Sequence, residues 1–120
     1  MEASMPKLNK ALAGYHLLVM IAHSDGVFSS SEEKVIKEYL SSNPGDLENL
    51  NAARKKLKEM KNDDRFYHFQ QTAVEYYAQS TELERMAFIN LVFELIQSDS
   101  KITIEENHYL NELYNTWGLD

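Results

Sequence analysis

Apolar residues along this chain recur mostly at three- and four-residue steps, and no segment sustains the alternation that a half-buried strand requires. Leu8, Ala11, Leu12, Tyr15, Leu18, Val19 and Ala22 form one wide apolar face, which predicts a first helix from near Lys7 to about Ser24. Gly26 follows, where a left-handed residue commonly ends a helix. Val35, Ile36, Tyr39 and Leu40 predict a second helix, opened by Ser29 and Glu32 at capping-box spacing. Asn43-Pro44-Gly45 breaks the pattern. Beyond it Leu47, Leu50, Ala53, Leu57 and Met60 mark a third helix, with Arg54, Lys55, Lys56, Lys58 and Lys61 largely on its outer side.

Asn62-Asp63-Asp64 is a polar break able to cap a fourth helix, which carries Phe66, Phe69, Ala73, Tyr76 and Tyr77. Thr81 and Glu84 form a further capping box and open a fifth helix, Glu82 to about Ser98. Its apolar residues wrap nearly the whole circumference, so it is expected to be the most buried helix, with Phe93 in the core. Thr103 and Glu106 open a sixth helix bearing Tyr109, Leu110, Leu113 and Trp117, and Gly118 can end it. The expected fold is all-α: one domain over residues 1–120, a bundle of about six helices.

Two helix–loop–helix units repeat within this pattern. Ser24-Asp25-Gly26-Val27-Phe28-Ser29 leads to Glu32, and Ser98-Asp99-Ser100-Lys101-Ile102-Thr103 leads to Glu106. Asp25 pairs with Asp99, Phe28 with Ile102, Ser29 with Thr103 and Glu32 with Glu106, all at one offset. The flanking apolar residues follow the same offset, Leu17 and Leu18 matching Leu91 and Val92. Two pseudo-equivalent hairpins are therefore expected to bring both acidic loops to the same side of the molecule.

Composition narrows the function classes. The 120 residues include 43% hydrophobic residues at a mean hydropathy of −0.48, as in an ordinary globule. The absence of cysteine removes disulfides, thiolate metal sites and cysteine nucleophiles. A net charge of −7 disfavours nucleic acid and anionic membranes as partners and suits cations or basic proteins. The longest apolar run, Leu17 to Ala22, is far too short to span a bilayer, and the first residues carry no leader-like pattern. A cytoplasmic location without membrane insertion is expected.

From Asp25 onward the pattern Asp-Gly-x-Phe-x-x-x-Glu matches the back half of an EF-hand loop, without the front-half ligands. Neither loop alone closes a site for a hard cation. Asp25, Glu32, Asp99 and Glu106 together could share one divalent cation, Ca²⁺ or Mg²⁺, since a carboxylate set prefers such ions to zinc. Capping competes with this reading: Glu32 and Glu106 each stand three residues after a hydroxyl residue, where a cap of about 1 kcal/mol explains them without metal. His16 and His23, seven apart, are expected to satisfy local hydrogen bonds, and His68 and His108 show no partner in the sequence. Tyr76, Tyr77, Phe66, Tyr67 and Trp117 read as packing. No phosphate loop, dinucleotide fingerprint, nucleophile elbow or HExxH occurs, so no enzyme is expected.

The run from Ile21 to Lys34, with the second copy ending in Trp117-Gly118-Leu119, resembles the TerB-like tellurite-resistance family. The resemblance extends from about Leu8 to Leu119. It implies an all-helical fold, a duplicated acidic element proposed to chelate metal, and kinship with the N-terminal region of a membrane-anchored DnaJ-type co-chaperone. Asp25, Glu32, Asp99 and Glu106 match the family's acidic positions and Gly26 its glycine, while Ser100 stands where the second glycine would be. The expected function is a non-enzymatic domain that binds a divalent cation in a stress-response or envelope-associated assembly with a protein partner. The alternative is a metal-free interaction module that docks a protein through a helical groove.

Overall fold

The computed structural model describes residues 10–23, 30–42, 47–97 and 103–118. They form six helices: α1 (Lys10–Ala22), α2 (Ser30–Ser42), α3 (Leu47–Glu59), α4 (Asn62–Gln79), α5 (Glu82–Gln97) and α6 (Ile104–Trp117). No strand occurs among the described residues. The all-α class and the order of helices follow the periodicity of the sequence.

The centre of the bundle is α1, not α5. Every residue from Ala13 to Ala22 is buried, and α1 packs against each of α2, α3, α4, α5 and α6, most extensively against α4. On α5 only Phe88, Val92, Leu95 and Ile96 are buried; Phe93 is half-buried against Tyr114. The expectation that α5 is the most buried helix is thereby corrected. Both helices are apolar around most of their circumference, but Ala11–Ala22 contains no Asp, Glu, Lys or Arg, whereas α5 carries Glu82, Glu84, Arg85 and Glu94. A charge drawn into the interior costs several times what one buried side chain of roughly 1.5–3 kcal/mol returns, so the charge-free helix takes the middle.

Gly14 lets α1 take that place. A Cβ there would lie 2.6 Å from Tyr39 Cζ, and closer still to the phenol oxygen. Tyr39 Oη donates to the carbonyl of Ala11 at 2.9 Å, and its ring meets Phe88 edge-on. One glycine thus permits α1, α2 and α5 to close on one another. At the other side of the core Trp117 stacks on Tyr76 and donates Nε1–H to the carbonyl of Ala73 at 2.9 Å, fixing α6 on α4.

The ends of the helices follow local chemistry. Thr81 and Glu84 form the expected reciprocal cap of α5, and Gly118, at φ 67°, ends α6 in the left-handed conformation. The start of α4 differs from expectation. Its N-cap is Lys61, whose side chain makes no capping bond, and Asn62, Asp63 and Asp64 lie inside the first turn, where acid suits the positive end of the helix dipole. The end of α3 is held by Arg65, buried, which donates to the carbonyls of Leu57 (3.0 Å), Lys58 (3.3 Å) and Met60 (2.8 Å). The carbonyls of a helix's last turn lack their full set of intrahelical donors, and that of Leu57 also accepts from Met60 N–H at 3.3 Å.

Candidate functional site

Of the four candidate carboxylates, Glu32 and Glu106 lie within the described residues; Asp25 and Asp99 lie outside them, as do Gly26, Phe28, Ser29 and Ser100. The distance between the two loops therefore falls outside the described structure as well. Glu32 sits in the first turn of α2 and Glu106 in the first turn of α6. Both are fully buried, at 0% exposure.

Glu106 belongs to a complete capping box. Thr103 N–H donates to Glu106 Oε1 at 3.0 Å, and Glu106 N–H donates to Thr103 Oγ1 at 3.0 Å. The chain holds an internal comparison for this arrangement. Thr81 and Glu84 make the same two bonds, at 2.8 and 3.2 Å, yet the Glu84 side chain remains 40% exposed. Capping therefore does not require the carboxylate to leave water. Glu84 instead meets Lys10 at the surface, and the hydrogen bond from that ammonium, with the backbone bond from Thr81, lowers its pKa. The cap bonds alone therefore do not set the burial of Glu106, and full burial is uncommon for a carboxylate.

The arrangement offers hard oxygen donors at the starts of two helices, the donor type that Ca²⁺ and Mg²⁺ prefer. Among the described residues no group of three or more His, Asp or Glu side chains is gathered closely enough to hold a metal. Glu33, next to Glu32, serves a different purpose: it faces Arg54 at 3.8 Å and Lys37 at 3.6 Å on the surface, contacts of small energetic weight.

A family model, that of tellurite resistance protein TerB, matches residues 11–120, nearly the whole chain. This chain belongs to the TerB family. No curated protein and no solved structure matches it. The TerB match spans both acidic loops and both buried glutamates, which the sequence alone paired by their common offset.

Two histidines have partners that the sequence did not disclose. His16 Nδ1 lies 2.9 Å from His68 Nε2 across the α1–α4 interface, with ring centroids 5.2 Å apart. The bond is not local, as expected for His16, but joins positions 52 residues apart. Thr72 donates its hydroxyl hydrogen to the carbonyl of His68 at 2.7 Å and so faces His68 Nε2, at 3.3 Å, as an acceptor. Which of the two ring nitrogens, His16 Nδ1 or His68 Nε2, donates is set by the tautomer of the pair. Burial lowers the pKa of His16 to about 4, helped by His68 and Lys56, and lowers that of His68 for the same main reason. His108, too, has a ring partner, stacking on Phe66 with centroids 4.3 Å apart. No local pattern marks these pairs, since each links residues far apart in sequence.

Proposed function

We propose that this TerB domain is a non-enzymatic module that binds a divalent cation, Ca²⁺ or Mg²⁺, through Asp25, Glu32, Asp99 and Glu106. The setting would be a stress-response or envelope-associated assembly. The observation that carries the reading is the burial of Glu32 and Glu106 beside the surface exposure of Glu84, although Glu106 and Glu84 share one cap chemistry. A buried carboxylate is stabilised by a cation, and two of them at equivalent positions of a duplicated element suit one shared ion.

A second observation supports the paired arrangement. Lys10 and Glu84, themselves 74 residues apart, meet as an ion pair. Asp25 and Asp99 have that same separation. Contact between equivalent positions is what an approximate two-fold axis near both would give.

Calorimetric titration of metal-stripped protein with Ca²⁺ and with Mg²⁺ tests the proposal. Saturable binding at millimolar cation or below, lost when Asp25 and Asp99 are both changed to Asn, is expected. Absence of heat at millimolar cation removes the site and leaves the glutamates as caps.

A further inference from the structure

The exposed side of α5 carries apolar residues that the fold does not use. Leu83 is 79% exposed and Met86 56%. They lie with exposed Ala87 opposite the buried side formed by Phe88, Val92, Leu95 and Ile96. Beside them a cleft of about 240 Å³ opens between α5 and α6, walled by Met86, Ile89, Asn90 and Tyr114. Scattered exposed apolar residues need no explanation, but large ones gathered at the mouth of a cleft mark an interaction surface.

Charge selects the occupant. Glu82 and Glu94 are exposed near the two ends of α5, flanking these residues, and neither takes part in an ion pair among the described residues. They are about 18 Å apart along the axis at the rise of an α-helix. A second copy fits poorly. An antiparallel α5–α5 contact about Asn90 would set Met86 against Glu94 of the other copy. A parallel contact would set Glu82 on Glu82 and Glu94 on Glu94, between chains that each carry −7.

We propose that the α5–α6 face docks a basic amphipathic helix of a partner protein. One apolar side chain of that helix enters the cleft at Met86 and Tyr114, and its Lys or Arg residues, about three turns apart, meet Glu82 and Glu94. The apolar anchor supplies affinity and the flanking charges fix the register.

The probe is a fluorescently labelled synthetic helix of about 18 residues, with leucines at three- and four-residue steps and two lysines about 12 positions apart. Anisotropy titration with the full chain is expected to give a micromolar Kd, weakened about tenfold in Leu83→Gln/Met86→Gln and more salt-sensitive in wild type than in Glu82→Gln/Glu94→Gln. All four positions are exposed, so helicity by circular dichroism is expected to be unchanged in both variants. No saturation at millimolar peptide, equal affinity for a scrambled peptide of the same composition, or equal affinity of the apolar variant overturns the proposal. Sedimentation equilibrium supplies a further arm: a wild-type dimer dispersed by Leu83→Gln/Met86→Gln assigns the face to a second copy and overturns it too.

Discussion

His16 Nδ1 and His68 Nε2, 2.9 Å apart, join the two most extensively packed helices of the bundle through a pair of buried imidazoles. Lys56, from α3, is the charged group that acts on both rings, and it disfavours a second proton on the pair. The unfolded chain holds His16 near its ordinary value of 6.5, whereas the folded chain holds it at about 4. Between these values the unfolded state binds more protons, so stability rises with pH. The contribution is fully present above about pH 6.5 and is lost as the pH falls towards 4, amounting to roughly 3 kcal/mol for His16. Urea denaturation across this range should show the loss in wild type and a flatter profile in His16→Gln. Equal slopes in both would show that the pair does not govern acid sensitivity.

Gly14→Ala should destabilise the fold by about 1–3 kcal/mol, because the added methyl group meets the ring of Tyr39. Ordinary helix propensity gives the opposite sign, about 1 kcal/mol in favour of alanine. Thermal unfolding distinguishes them by direction alone. In Gly14→Ala/Tyr39→Leu only the 3.2 Å approach to Phe88 remains, and the penalty for alanine should shrink markedly against the Tyr39→Leu background.

Arg65→Met should cost about 2–4 kcal/mol, since the carbonyls of Leu57, Lys58 and Met60 each lose the guanidinium bond while the apolar stem is kept. Arg65→Lys should recover little, because a single ammonium cannot reproduce the planar fork. Hydrogen exchange at the C-terminal turn of α3 reads the effect locally. Unchanged protection there would contradict the capping role.

Features encoded by neighbours in sequence were legible before the structure. Thr81 with Glu84, Thr103 with Glu106, and Gly118 announce helix ends through residues three or four apart, and the helices occur in the order that the apolar spacing implies. The bundle's centre was not legible in the same way. Periodicity gave α1 one wide apolar face and α5 an apolar circumference, whereas the lack of charge in α1 puts α1 in the middle. The His16–His68 contact and the seat of Arg65 on α3 depend on how helices meet, which no local pattern contains. For the candidate site, sequence spacing paired Glu32 with Glu106 but could not show that both are buried; that separates them from Glu84.

The most direct test of the cation proposal compares Glu106→Gln with Glu84→Gln by the rise in Tm that Ca²⁺ or Mg²⁺ produces. Glutamine still serves at the third position of a capping box, so both variants should retain their helix starts. A cation bound only by the native state raises Tm by mass action. Cation binding at Glu106 predicts a rise in wild type, an undiminished rise in Glu84→Gln, and loss of most of it in Glu106→Gln. An equal rise in all three proteins, or none in wild type at millimolar cation, would contradict it.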